Sequence, residues 1–499
     1  MENRNQEAAD RREMDQKEMN REDMILILKY SDEFAVEAAR RLRDEHIYSR
    51  IISGMTTAAQ IREIRPRGII LCGEAASAQG VLDAQILDLG IPILALGHAS
   101  HMLLAALGGA CAGVAISEKK AFISYGKSPL FAGLMDGERY LKETLTLMLP
   151  VDVQGTASAG GCTLAFECSA KKLYGVQFEL ERNDPEGTAI LKNFARDLCG
   201  CTGWFTMKAA LEQAQRALQE AAEQGGRALC AVSGGLDSAV TALLAHRVFG
   251  GRMTAIYVET GLMREGEGAA VQRELEALGI PLRSVDRSGV VLEALAHRRS
   301  MREKREVVFK CLHEEMISQA ASISETKVLI LGTNYNDVLR GRETDGWKDC
   351  GMALLEPLAF LFKEEIRELA KEMGLAEELV QRKPFPMLGL GGRILGEVTG
   401  ERLHALRTAE AIFDEEIRQA GLARKLHKYF PVLADADPVL DSTTIILRAV
   451  TISGGMLVPA RLPYDLVERT VQRILAATPS VLRVFYDQTP TPVGKETFA

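Results

Sequence analysis

The sequence predicts an α/β protein: two doubly wound parallel-sheet domains followed by a small α+β domain. Three observations predict it. Short apolar runs alternate with helical stretches in two separate series. A strongly helical segment divides those series after residue 203. The alternation then gives way beyond about residue 395 to helices followed by strands. A length of 499 residues is enough for about three domain-sized cores.

Residues 1–23 carry five basic and eight acidic side chains and no apolar run, so they read as a charged disordered tail, not a signal peptide. The first series opens at Met24. MILILKY reads as a buried strand and FAVEAARRLRDEH as the helix behind it. RIISG, GIILCG, IPILAL and LYGVQF continue the pattern, implying a parallel sheet covered on both faces. Leu89–Ser117 contains no charged residue and is long enough to cross a bilayer. Pro92 and five glycines divide it instead into a strand, a turn at Gly97 and a short helix ended by Gly108-Gly109.

TMKAALEQAQRALQEAAEQGG reads as a helix capped by Thr206 and stopped by Gly225. The second series has strands at 228–232, 253–259, 282–286 and 327–333. The third domain reads as two helices, then strands 444–452 and 482–487 around a helix in 464–477. The expected domains are therefore 24–203, 204–395 and 396–499.

Sixty basic against sixty-eight acidic residues give a formal charge of −8, so no extensive nucleic-acid-binding surface is expected. Nine scattered cysteines argue for reduced thiols. A cytoplasmic enzyme that uses neither membrane nor nucleic acid is the expectation.

The chemistry concentrates in Ser233-Gly234-Gly235-Leu236-Asp237-Ser238, between an apolar strand and a helix. Two glycines let successive N–H groups face one anion, and the helix adds its positive N-terminal end. Ser233 and Ser238 can donate hydroxyl bonds. An aspartate beside phosphate implies an intervening cation, hence Mg²⁺ at Asp237. The absence of G-K-[ST] excludes the Walker loop. The bland alternative is a serine-glycine turn with an aspartate cap. The fuller pattern is the signature of the ATP pyrophosphatase loop.

With SGGLDSAVTALLAHR stand VETGLMR, LGTNYNDV, LLEPLAFLFKEEIRELA and KPFPMLGLGGRILGEV, and later LRAVTI, LPYDLVERTVQRI and VFYD. Together these blocks resemble the GMP synthase family over nearly all of residues 24–499. The resemblance implies a class I amidotransferase-like domain, an ATP pyrophosphatase domain of the adenine nucleotide alpha hydrolase type, and a dimerisation domain. It implies MgATP as cosubstrate, XMP or a related purine-like acceptor, and a homodimer. Residues 233–238 would hold pyrophosphate and Mg²⁺, with Val258 to Gly261 bordering the adenine. Asp337 would assist with Mg²⁺ and Lys363 would reach the phosphates, although a solvated helix face is an equal reading for that lysine. Arg393 matches an arginine of the family's substrate loop. Arg340 stands where the family has a glutamate, and Lys495 is a candidate for the acceptor's phosphate.

The departures are as telling. The glutaminase needs a cysteine on a strained turn, activated by a histidine. Here Gly97 occupies the nucleophile position and Glu179 the histidine position, leaving only the orienting acid, Glu181. The oxyanion side reads Cys72-Gly73-Glu74-Ala75. The expected result is an inactive glutaminase domain, with ammonia supplied free or by a separate protein. The shortened lid LRGRETDGWKDCGMA and the altered C-terminus keep two alternatives open: a different acceptor or a sulfur nucleophile carried by Cys350, and a non-catalytic nucleotide-binding regulator.

Overall fold

The structure is a computed structural model that describes residues 23–30, 32–73, 82–116, 119–141, 144–178, 184–341, 347, 350–382, 387–437, 442–453 and 456–492. The charged tail 1–22, Glu179, Glu181 and Lys495 lie outside the described residues. The chain divides into two compact units, Met1–Ala209 and Ala210–Ala499.

In the first unit β1 (Ile25–Lys29), β2 (Ser49–Ser53), β3 (Gly68–Gly73), β4 (Ile93–Gly97) and β5 (Leu173–Val176) pair in the order β2-β1-β3-β4-β5. All these pairings are parallel. Every residue of β3 is buried, as a strand covered on both faces requires. The sheet continues beyond these expected parallel strands. Strands Cys162–Cys168, Gln154–Ala159, Lys119–Tyr125 and Gly137–Leu141 extend it antiparallel. Gly160 and Gly161, with φ of +55° and +82°, close the two-residue hairpin between the first two, a turn that only such backbones take cheaply. The uncharged stretch resolves into β4, helix α1 (His98–Ala106) and strand Ala110–Ile116. Among the described residues no helix is long and apolar enough to cross a membrane.

Helix α2 (Met207–Glu223) starts where expected. Thr206 Oγ1 accepts from Ala209 N at 3.2 Å, and Gly225 follows it with φ +74°. The second unit begins with an all-parallel sheet of β6 (Arg227–Val232), β7 (Met253–Glu259), β8 (Leu282–Asp286), β9 (Thr326–Ile330) and β10 (Ala353–Leu355). Its order is β8-β7-β6-β9-β10. The chain winds outward from β6 in one direction and returns on its other side at β9. That reversal leaves a crevice at the carboxyl ends of β6 and β9, where doubly wound sheets place ligands. Around it lie α3 (Leu236–Phe249), α4 (Glu267–Ala277), α5 (Met301–Ser322), α6 (Tyr335–Leu339) and α7 (Lys363–Glu372).

The last segment contains α8 (Gly400–Gln419), β11 (Lys428–Asp437), β12 (Ser442–Ser453), β13 (Met456–Pro459), α9 (Tyr464–Ala477), β14 (Val481–Tyr486) and β15 (Thr491–Pro492). Where the sequence reading placed a second helix, β11 forms a ten-residue strand antiparallel to β12. Pro431 is tolerated there because β11 is an edge strand. The boundary drawn at 395/396 separates two sheets but not two cores. Leu262, Leu390 and Ile394 share one apolar cluster with Leu406, Phe413 and Leu433.

Candidate active site

Strand β6 delivers the chain into the crevice at Ser233, and α3 carries it away from Leu236. Gly234 has φ +83°, and a Cβ there would stand 2.6 Å from Val271 Cγ2, so only glycine fits this turn. The two serines define its inner side. Ser233 N donates to Ser238 Oγ at 3.2 Å, and Ser238 Oγ donates to Gly235 O at 2.9 Å. Ser233 Oγ lies 3.2 Å from Ser238 Oγ. Leu236 is 5% exposed and anchors the first turn of α3 in the core.

Asp237 is the buried charged group of this turn. Its Oδ2 accepts from Asn334 Nδ2 at 2.9 Å and lies 3.6 Å from Lys363 Nζ. Its Oδ1 is buried without a hydrogen-bond partner. A buried carboxylate oxygen left bare is costly unless something charged or protic meets it. Asp337 is close enough for the two carboxylates to repel. Its carboxyl is raised above the ordinary aspartate range, first by desolvation, with the charge of Asp237 adding to the rise. The Asn334 backbone bond, Lys363 and Arg340 pull it the other way. Two carboxylates, one of them with a bare oxygen, are hard donors of the kind that Mg²⁺ takes.

The segment after β9 organises these groups. Gly332 must be glycine, since a Cβ would lie 2.8 Å from Ser238 Cα. Asn334 caps α6, with Asn334 Oδ1 accepting from Asp337 N at 3.1 Å while Asp337 Oδ2 accepts from Asn334 N at 3.2 Å. Asn336 Oδ1 accepts from Lys363 N at 3.2 Å and so ties the start of α7 to the same turn. Asn334 and Asn336 thus position Asp237 and Lys363. The sequence reading gave neither a role, although Asn334, a cap-forming residue in T-N-Y-N-D, carried a signal that could have found it.

Val258 is half-buried in β7. The turn after it is fastened on several sides. Gly261, at φ +73°, donates its N–H to Glu259 Oε1 at 2.8 Å, and its carbonyl accepts from Arg407 Nη2 at 2.6 Å. Leu262 O accepts from Leu390 N at 2.7 Å.

Arg340 follows α6, is exposed and lies within Coulombic reach of Asp337. Arg393 is placed otherwise than an acceptor-binding arginine requires. It is 6% exposed, its Nη1 donates to Glu410 Oε2 at 3.0 Å, and its guanidinium lies 4.7 Å from the centre of the Phe430 ring. Arg264 reaches the same glutamate at 2.8 Å. The GRILGEV segment therefore turns its arginine into the core that joins it to α8. Arg393→Ala is expected to lower unfolding free energy by about 3 kcal/mol, the cost of breaking a buried pair, as read by urea denaturation.

In the first unit Gly97 takes φ +59° and ψ −132°, which suits a residue without a side chain. Ser100 is fully buried and its Oγ donates to Gly97 O at 2.7 Å. His101 Nε2 lies 2.8 Å from Gln177 Oε1, and its Nδ1 is 3.2 Å from His98 Nδ1. Burial lowers the His101 pKa, and His98 adds to the shift. Cys72 is fully buried, which pushes its thiol pKa well up. Cys350 is half-buried, its Sγ 3.8 Å from Met352 O.

The NAD synthase family description matches residues 210–392, the span that contains this crevice. The full chain is similar to the glutamine-hydrolyzing GMP synthase of Geobacillus kaustophilus, at 33% identity over 95% of this chain and 99% of that one. The chain belongs to the GMP synthase family. The corresponding enzyme of Caldanaerobacter subterraneus is 33% identical over 94% of this chain and 97% of its own. That of Heliobacterium modesticaldum is 34% identical over 94% and 98%. Kinship at this level makes the chain an ATP-dependent ligase of the family.

Proposed function

We propose that the chain adenylates a carbonyl oxygen of XMP or a closely related purine-like acceptor with MgATP, and that ammonia then displaces AMP. The observation that carries the reading is Asp237, one oxygen held by Asn334 beside Lys363 and the other buried and bare inside the serine-glycine turn. Asp237 and Asp337 would hold Mg²⁺, which would shield the phosphate charge. The N–H groups and hydroxyls of Ser233 to Ser238 would take the β,γ-phosphates. Lys363, partly open to solvent, would neutralise charge on the departing pyrophosphate. The acceptor oxygen attacks the α-phosphorus, the bond to the β-phosphate's bridging oxygen breaks, and pyrophosphate remains in the turn. Ammonia adds to the activated carbon and AMP leaves.

Gly97 brings no nucleophile, and neither Ser100 nor Cys72 replaces one, so the first unit is assigned no glutaminase activity. A homodimer through the third sheet belongs to the same reading. Leu482 and Phe485 on β14, each about half exposed, support it. With MgATP, XMP and ammonium, AMP and pyrophosphate are expected in equal amounts, measured by chromatography and coupled phosphate assay. Absence of XMP-stimulated release would remove this acceptor. The shortened lid and altered tail favour, as a second reading, a different acceptor on the same adenylating site. Release stimulated by another heterocycle would sustain it.

A further inference from the structure

Gly234 lies in the middle of the proposed pyrophosphate turn, yet its carbonyl is not part of the inner surface. It accepts from Arg382 Nη1 at 2.6 Å. Arg382 Nη2 is held in turn by the carboxylate of Glu274 on α4. The same helix supplies Val271, whose Cγ2 would lie 2.6 Å from a Cβ on Gly234. The outer side of the turn is therefore pressed against α4, with the guanidinium bridging the two.

A trans peptide is planar, and its C=O and N–H point in opposite directions. Fixing the Gly234 carbonyl outward consequently fixes the Gly235 N–H inward, where it donates a long bond to Ser233 Oγ at 3.4 Å. This control has a purpose in a Gly-Gly sequence. Glycine occupies both halves of φ space almost equally, so the 234–235 peptide could rotate over and present its oxygen to the phosphates. A carbonyl facing an anion repels it, whereas an N–H binds it.

We infer that Arg382 is a positioning residue that locks the Gly234–Gly235 peptide with its N–H toward the pyrophosphate, Glu274 aiming the guanidinium. The inference rests on the nucleotide reading above and names a residue that acts through the backbone without touching ATP.

The test is calorimetric titration of the full chain with Mg-pyrophosphate and, separately, with AMP. Arg382→Gln is expected to weaken Mg-pyrophosphate about tenfold, the size of one lost charge-assisted bond, and AMP less than twofold. Arg382→Lys keeps the charge but cannot serve both partners, and should fall between. Glu274→Gln removes the aiming group at a distance from the turn and should weaken pyrophosphate by a smaller factor in the same direction. Should Arg382→Gln not fold, the lysine and Glu274 variants give the same reading. Equal losses of both ligands, or unchanged pyrophosphate binding in the folded variants, would overturn the assignment. If the unaltered chain itself binds no Mg-pyrophosphate, the nucleotide reading falls first and this role with it.

Discussion

Asp237→Asn is expected to reduce ATP cleavage by about a thousandfold while leaving the fold intact. The substitution is nearly isosteric, so α3 and its packing have no reason to shift. The amide cannot, however, do what the carboxylate does. Asn334 Nδ2 donates to Oδ2, so the new amide must present its oxygen there to avoid placing two N–H groups face to face. Its NH₂ then occupies the position of Oδ1, the bare buried oxygen. A donor in that place repels a cation that an acceptor would bind. Lys363 also loses the negative partner 3.6 Å away and is free to drift from the crevice. Three defects follow from one atom: no metal ligand, no anchor for the lysine and a donor aimed the wrong way. The measurement is pyrophosphate release at saturating MgATP, with circular dichroism to establish that the variant is folded. A variant retaining a tenth of the activity would mean that Asp237 serves only the packing of the first turn of α3.

The parts of this site that could be read from the sequence are those that act locally. Ser233 to Ser238 declare themselves because the glycines, hydroxyls and carboxylate all serve one turn, and because a buried strand and a helix flank them. Asn334 and Arg382 do not. They meet their partners across 97 and 148 residues, and Arg382 acts on a backbone carbonyl, which leaves no mark on residue type. Arg393 misleads for the opposite reason. Its neighbours in sequence match a substrate loop, but Glu410 and Phe430, from α8 and β11, decide where its side chain goes. The fold divides similarly. Parallel strands buried on both faces are uniform apolar runs and easily recognised, as in β1 and β3. The antiparallel extension carries mixed exposure and is betrayed chiefly by the Gly160-Gly161 turn. Strand β11 interrupts its apolar run with Pro431 and acidic residues, which obscures a strand that an edge position permits.

The second large effect concerns the nitrogen donor. Ammonium is expected to support AMP formation and glutamine to leave it at background, with no glutamate released. Restoring the nucleophile should not change this. In Gly97→Cys the new side chain would have to adopt φ +59° with ψ −132°, a conformation costing a non-glycine residue about 1–3 kcal/mol. The resemblance puts Glu179 where a glutaminase of this class has its histidine, and a glutamate supplies no imidazole to activate a new thiol. The nearby imidazole offers no substitute. His101 has one nitrogen against Gln177 and the other against His98, and burial favours its neutral form. Gln177 is itself committed, donating to Leu145 O and Thr163 O, so the ring has no freedom to turn toward a new thiol. Gly97→Cys should therefore lower the thermal midpoint and still fail to hydrolyse glutamine, while a double variant with Glu179→His is the smallest change that restores both groups. Glutamate release by Gly97→Cys alone would show that a base outside this set reaches the turn, and the first unit would then have to be counted as a glutaminase lacking only its sulfur.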